Sequence, residues 1–395
     1  MKMIVLGCGL VGGPMAIDLA RESEFEITVV DKNREALKAL ETKHKNINTV
    51  HWDLGDPNEI GALVADQDLV INAVPGFMGY QTLQAIIEAG KNVVDIAFYA
   101  ENPFDLDALA KEKGVTAIVD CGVAPGMSNL LIGHVHEQLD RTDSILIYVG
   151  GLPETRRWPF DYRAVFSPID VIAEYTRPAR YVENGNLVIR EALSDPELID
   201  FPGIGTLEAF NTDGLRTLAE TIDAPNMKEK TLRYHGHIEK MAVLRAAGFF
   251  DEDAIEINGH SIRPIDFTAK ILFPQWQMEE GEVDITVLQI IIEGKKNGMP
   301  QRYVYNLLDR YDAPSKTHSM ARTTGYTATV AARMLAKGLY DQKGISPPEF
   351  VGRHQECVDF MLEGLAERGI VFETNEMISA PPTGPEMPSF GACLD

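Results

Sequence analysis

An apolar run, Met3 to Leu6, leads straight into Gly7-Cys8-Gly9-Leu10-Val11-Gly12. An amphipathic segment carrying Met15, Ile17, Leu19 and Ala20 follows, and a second apolar run, Ile27 to Val30, ends on Asp31. Strand, glycine turn, helix, strand and acid in that order are the context in which a G-x-G-x-x-G pattern carries meaning. Gly7 permits the tight turn, Gly9 offers no Cβ to a pyrophosphate, and Gly12 lets the helix lie close to the strand. The helix N-terminus then presents unpaired N–H groups to phosphates. Asp31 stands nineteen residues past Gly12, within reach of a ribose diol. An ordinary strand–helix turn would require neither the glycine spacing nor the acid. The expected dinucleotide contacts are Gly7, Gly9, Leu10, Val11, Gly12 and Asp31. The Asp31 carboxylate repels a 2′-phosphate and favours NAD; Lys32 and Arg34 nearby leave NADP as the second choice.

Apolar strands and amphipathic helices continue to alternate as far as Asp120, which predicts a parallel, doubly wound sheet. Ligands on such sheets lie beyond the carboxyl ends of the strands. That rule puts Gly9, Asp31, Asp53, Val74 with its neighbour Ala73, Asp95 and Asp120 on one rim, and Asp53, Ala73, Val74 and Asp95 there join the expected dinucleotide contacts. The pattern changes at Asp120-Cys121-Gly122-Val123-Ala124-Pro125-Gly126, where a helix from about Ser128 leaves the first unit. Beyond it come turn-rich sequence and apolar runs at Ser144 to Gly150, Thr231 to His235, Val283 to Glu293 and Gln301 to Leu308, separated by hairpin-like turns. The expected fold is α/β: a Rossmann-type sheet over 1–125, and an α+β substrate and dimerisation unit with a mixed or antiparallel sheet over 126–315. Helices over 316–375 are expected to return to the first unit, with a Pro- and Gly-rich tail over 376–395.

The 395 residues exceed one typical domain, and a net charge of −23 argues against nucleic-acid and anionic-membrane partners. No apolar run approaches the roughly twenty residues needed to span a bilayer. Cys8, Cys121, Cys357 and Cys393 show neither metal-ligand spacing nor disulfide density, so no metal is expected and a reducing cytoplasm is. His134 and His136, two apart on a predicted helix, diverge rather than chelate. There is no nucleophile elbow and no P-loop.

The glycine turn, the loop Asp120 to Asn129 and the stretch Tyr148-Val149-Gly150-Gly151-Leu152-Pro153 resemble the saccharopine dehydrogenase superfamily, and within it most closely the lysine 6-dehydrogenases. Leu207 to Thr212, Lys230 to Lys240, Met320 to Thr327 and Gly344 to Glu349 extend the resemblance almost to the C-terminus. It implies NAD-dependent oxidation of lysine at its ε-carbon, giving a semialdehyde that cyclises, with release of ammonia. It also implies a Rossmann unit completed by C-terminal chain, with the substrate in the cleft below an α+β unit. Relatives on the same scaffold oxidise saccharopine or make carboxylated polyamines, so a secondary-amine substrate stays open.

Hydride can leave a carbon bearing nitrogen only if the nitrogen lone pair is free, so an ammonium of pKa about 10.4 must first lose a proton to a base. On a strand, Arg233, His235 and His237 would share one face. With the resemblance, His237 is the expected base and Glu239 its orienting group, with Asp120 a third catalytic candidate on the rim. Arg233 or Arg322, with His235, is expected to bind the substrate carboxylate. A sensor that binds a dinucleotide without catalysis would not require the group from Arg233 to Lys240. The expected assembly is a homodimer with a small amino-acid substrate. Asp31→Ala is expected to weaken NAD binding selectively; unchanged affinity in a fluorescence titration would place the ribose elsewhere.

Overall fold

A computed structural model describes residues 1–279 and 281–378. Seven parallel strands form the first sheet, in the order Gly344–Ser346, Thr116–Ile118, Asn92–Asp95, Leu69–Asn72, Lys2–Leu6, Glu26–Asp31, Ile47–His51. Six of these follow the doubly wound order of a dinucleotide-binding sheet, and the seventh is added from far down the chain. Lys2–Leu6 and Leu69–Asn72 are almost wholly buried, as strands covered by helices on both faces must be. Local chemistry sets several helix starts. Asn33 accepts hydrogen bonds from the Glu35 and Ala36 N–H groups ahead of Arg34–Lys43, and Asp56 caps Pro57–Val64 with proline in the first turn.

The second sheet is mixed. Its main path runs Glu197–Phe201, Gly205–Asn211, Met227–Tyr234, Arg141–Pro153, Asp284–Lys296, Met299–Arg310, Glu373–Ile378. Only Met227–Tyr234 and Arg141–Pro153 run parallel on that path; the other pairs are antiparallel. The hairpin Asp284–Lys296 to Met299–Arg310 turns at Asn297 and Gly298, both with positive φ, inside the turn expected from sequence. The expected tail over 376–395 differs in its first residues, which complete the strand Glu373–Ile378; from 379 onward it lies outside the described residues. Among the described residues no helix is long and apolar enough to cross a membrane.

The helix Ser319–Ala336 lies against the glycine-turn helix Gly12–Leu19. Asp18, fully buried on that short helix, accepts from Thr329 Oγ1 at 2.6 Å, Arg333 Nη1 at 2.8 Å and Arg368 Nε at 2.9 Å. Arg333 Nη2 also donates to the Asp18 carbonyl at 2.9 Å. One carboxylate thus ties two C-terminal helical segments to the element that follows the glycine turn. Asp18→Ala would leave two buried guanidiniums without it, and removing one partner of such a group costs about 3–5 kcal/mol. Chemical denaturation of Asp18→Ala is expected to show a loss of that size.

Candidate active site

The carboxyl ends of the first sheet face the strands Arg141–Pro153 and Met227–Tyr234 of the second across a cavity of about 440 Å³. Gly7, Gly9, Leu10, Val11, Gly12, Asp31, Ala73 and Val74 line one end. A Cβ on Gly12 would lie 2.1 Å from the Gly7 carbonyl oxygen, and one on Gly7, whose φ is +109°, 2.7 Å from the Ala73 oxygen. Gly9 has nothing within 4 Å of where its Cβ would be, so open space borders the turn where a pyrophosphate needs it. Asp31 is held rigidly, one oxygen accepting from Cys8 N–H at 2.6 Å and the other from Asn33 N–H at 2.7 Å. These residues fit a dinucleotide. Two of the expected contacts are elsewhere. Asp53 is exposed and accepts from Gly55 N–H at 3.1 Å, and Asp95 is buried behind the wall, accepting from Ala97 N–H at 2.8 Å.

Asp120 lines the middle of the cavity and is paired with Arg216, whose Nε lies 3.1 Å from both carboxylate oxygens. Both side chains are about 1% exposed, and both residues have left-handed backbone, φ +51° and +52°. Strained backbone of this kind persists only where surrounding structure over-determines it, and it clusters at functional sites. Burial pushes the Asp120 carboxyl above its usual range, with Arg216 pulling the other way.

The far wall carries Asp170, Glu174, Arg177, Asp213, Glu229 and Arg233. Glu174 is paired with Arg233, and Arg180 holds Asp213 through two bonds of 2.7 and 3.0 Å. Arg177 stacks on Phe98 and, among the described residues, makes long bonds of 3.4 and 3.3 Å to the Tyr99 and Phe98 carbonyls. Glu229 accepts from Thr212 Oγ1 and from Gly214 N–H, and burial pushes its carboxyl up to about 8.

The strand expected to carry Arg233, His235 and His237 on one face ends at Tyr234; Gly236 turns with φ +87°, and His237 opens the helix His237–Ala246. The shared face therefore does not form. Alternation works in the opposite direction along the chain, where Glu229, Thr231 and Arg233 all face the cavity. His237 is fully buried among Tyr162, Tyr175 and Trp276 and does not line the cavity. Its Nδ1–H donates to the Phe160 carbonyl at 2.8 Å, and Nε2 accepts from Tyr175 OH at 2.9 Å. Tyr175 OH in turn accepts from Arg233 Nε at 3.1 Å, so His237 reaches the wall through two intermediaries. His235 and Glu239 are exposed, with His235 Nδ1 3.8 Å from Glu208. Arg322, off the wall, donates to the Arg368 carbonyl at 2.8 Å and lies 3.4 Å from Asp309. Asp170, Glu174, Asp213, Arg216 and Glu229 were not legible as site residues, because each comes from a turn, a helix or a strand half with no local motif; Arg177 lies in the stretch Tyr175 to Ala179 that shares the family resemblance, but nothing in that stretch marks its place on the wall. Among the described residues no group of His, Cys, Asp and Glu has the arrangement to hold a metal ion.

The family model of the saccharopine dehydrogenase C-terminal domain matches residues 122–370, and that of the saccharopine dehydrogenase NADP binding domain matches 3–118. The chain belongs to the saccharopine dehydrogenase family. It is 25% identical to the saccharopine dehydrogenase [NADP(+), L-glutamate-forming] of Schizosaccharomyces pombe, over 94% of this chain and 98% of that one. It is 24% identical to the carboxyaminopropylagmatine dehydrogenase of Synechocystis, over 96% and 98%. Against the alpha-aminoadipic semialdehyde synthase of Mus musculus it is 24% identical over 95% of its own length, yet spans 48% of that longer protein. The solved apo saccharopine dehydrogenase (L-Glu forming) of Saccharomyces cerevisiae shares the fold, with a TM-score of 0.77 at 20% identity, over 95% of this chain and 99% of that one.

Two predictions follow from the geometry. Burial, with Arg233 adding to it, lowers His237 from 6.5 to about 3, so the unfolded chain takes up that proton first as pH falls. The wild type should lose stability between those two values on acidification, and His237→Gln should show a flatter pH dependence in denaturant titrations. Gly12→Ala places a methyl against the Gly7 carbonyl; strain of about 1–3 kcal/mol corresponds to roughly a fivefold to hundredfold weaker affinity for a reduced nicotinamide dinucleotide, readable by fluorescence.

Proposed function

We propose that the protein is a nicotinamide-dinucleotide-dependent dehydrogenase acting on an amine-bearing carbon of a cationic amino acid. Oxidation of L-lysine at its ε-carbon, to a semialdehyde that cyclises to piperideine-6-carboxylate with loss of ammonia, is its first reading. The observation that carries this is the composition of one continuous cavity. It runs from the glycine turn to a region lined by Asp120, Asp170, Glu174, Asp213 and Glu229 with Arg177 and Arg233, while Arg216 and Arg180 pair with Asp120 and Asp213 from off the lining. An excess of carboxylates suits an ammonium, and a guanidinium suits a carboxylate. Arg177 is the better carboxylate seat, because its long bonds are weak ones to displace, whereas Arg233 donates to Tyr175, Leu232 and Glu174.

A bound dinucleotide supplies the hydride acceptor. The chain's own part is to hold the amine carbon above the Gly150 and Gly151 floor, keep water out and take the ammonium proton. Asp31 supports NAD, since its fixed carboxylate borders the ribose position. The NADP(+) in the name of the Schizosaccharomyces pombe relative supports the other choice. A second reading, a saccharopine-type or carboxylated-polyamine-type dehydrogenase acting on a secondary amine, draws on the two relatives matched over 98% of their length.

Reduced-cofactor formation with L-lysine, L-saccharopine and carboxynorspermidine, each with NAD and NADP, tests these readings. Turnover of lysine alone supports the first, turnover of a secondary amine alone supports the second, and no turnover with either cofactor removes both. Asp31→Ser is expected to shift kcat/KM towards NADP; an unchanged cofactor ratio would show that Asp31 does not set the preference.

A further inference from the structure

We propose that Glu229 is the group that receives the proton of the substrate ammonium, an assignment that rests on the amine-dehydrogenase reading. Base chemistry at this cavity needs a carboxylate that faces it, is not paired with a cation, and is less acidic than an exposed one. Asp31 stands at the glycine-turn end. Asp120, Glu174 and Asp213 each lie against a guanidinium, of Arg216, Arg233 and Arg180 respectively. Asp170 accepts from Gly76 N–H at 3.2 Å and feels the nearby charge of Arg177.

Glu229 differs from the paired acids in having no guanidinium against it, and from Asp170, whose partners are likewise an amide and the Ser167 hydroxyl, in that the charges acting most on it are acids rather than Arg177. It is 4% exposed, and its hydrogen-bond partners are a hydroxyl and an amide rather than a cation. The charged groups that face it are themselves acidic: Glu174 of the helix Pro168–Thr176 and Asp213 of the loop after Gly205–Asn211. Both carry arginine partners, and the neighbouring strand Arg141–Pro153 sets apolar Ile147 opposite Glu229. Thr231 and Arg233 complete the same strand face. Burial and the two acids together hold the carboxyl at about 8. Gly214 is part of the device, because a Cβ there would lie 2.3 Å from the Glu229 Cδ. The loop therefore closes on the carboxyl while donating its N–H to it.

At pH 7 a carboxyl held at about 8 carries a proton, which leaves to solvent as the ammonium enters; the step on the resulting carboxylate is a single proton transfer. One N–H bond of the ammonium breaks, one O–H bond forms on Glu229, and the electron pair stays on nitrogen. A cation and an anion become two neutral groups, which burial in a cavity of low polarity favours. The freed lone pair is what loss of hydride from the adjacent carbon requires.

The test is calorimetric titration of n-butylamine into the full-length protein with saturating NAD, at pH 7, in two buffers of different ionisation enthalpy. Wild type is expected to release close to one proton per amine bound, and E229Q to bind weakly without that release. Equal affinity and equal proton release in E229Q would overturn the proposal, as would wild-type binding without release. Where a panel substrate turns over, kcat/KM of wild type should rise with pH up to about 8. E229Q should lose that limb and roughly a hundredfold or more in rate, with E229D recovering part of both. E229Q with the wild-type pH limb and rate would also overturn it. Glu229-dependent proton release with no turnover across the panel would place the failure in the reading of the reaction. A carboxylic-acid infrared band present at pH 6 and lost by pH 9 in wild type, but missing in E229Q, confirms the titrating group independently of turnover.

Discussion

The ion pair between Asp120 and Arg216 is the constraint on which the cavity depends. Asp120 lies just beyond the first sheet's strand Thr116–Ile118, and Arg216 belongs to the second unit, near the loop that closes over Glu229. Arg216 also donates to the Tyr99 carbonyl at 2.7 Å, so it holds the rim of the first sheet at two points. Two charges taken fully out of water stay charged only if each meets the other with good geometry. That demand fixes the distance between the walls. Holding both residues in left-handed backbone has a cost, which the surrounding contacts offset.

With the walls placed, the remaining charges fall into an order. Carboxylates paired with arginine keep a structural role: Glu174 with Arg233, Asp213 with Arg180, and Asp18 with Arg333 and Arg368. The lining carboxylate with neutral partners and acidic neighbours is raised towards neutrality. On the proposed amine chemistry, such a cavity holds a cation through its carboxylates and discharges it at one point. His237, Tyr175, Arg233 and Glu174 form a hydrogen-bonded chain from behind that wall onto it.

Much of the first sheet was legible because it is locally encoded. Each strand is a short apolar run, the helix starts carry their caps, and the glycine turn admits few alternatives. The site was less legible for a definite reason. Periodicity marks which residues share a face, but it does not say where a strand stops. The stretch from Thr231 to His237 reads as continuing alternation, whereas Gly236 breaks it with a positive φ and starts a helix. The face that matters extends upstream instead, through Thr231 to Glu229. Likewise Arg322 and Arg233 are equivalent in sequence as carboxylate clamps; only packing turns the first towards Asp309 and the second onto the cavity wall.

By itself the sequence determined the parallel sheet, the dinucleotide turn with its acid and a mixed or antiparallel second sheet, because these rest on short-range patterns of glycine spacing and apolar periodicity; the family was legible through the resemblance of its motif stretches. Tertiary structure alone decided which acids stand free of arginine, which histidine is sealed among aromatic rings, and that a strand at Gly344–Ser346 joins the first sheet. Those properties depend on residues far apart in the chain meeting in a water-poor interior. Charge pairing and desolvation act there over a few ångströms of space, and distance along the chain does not report them.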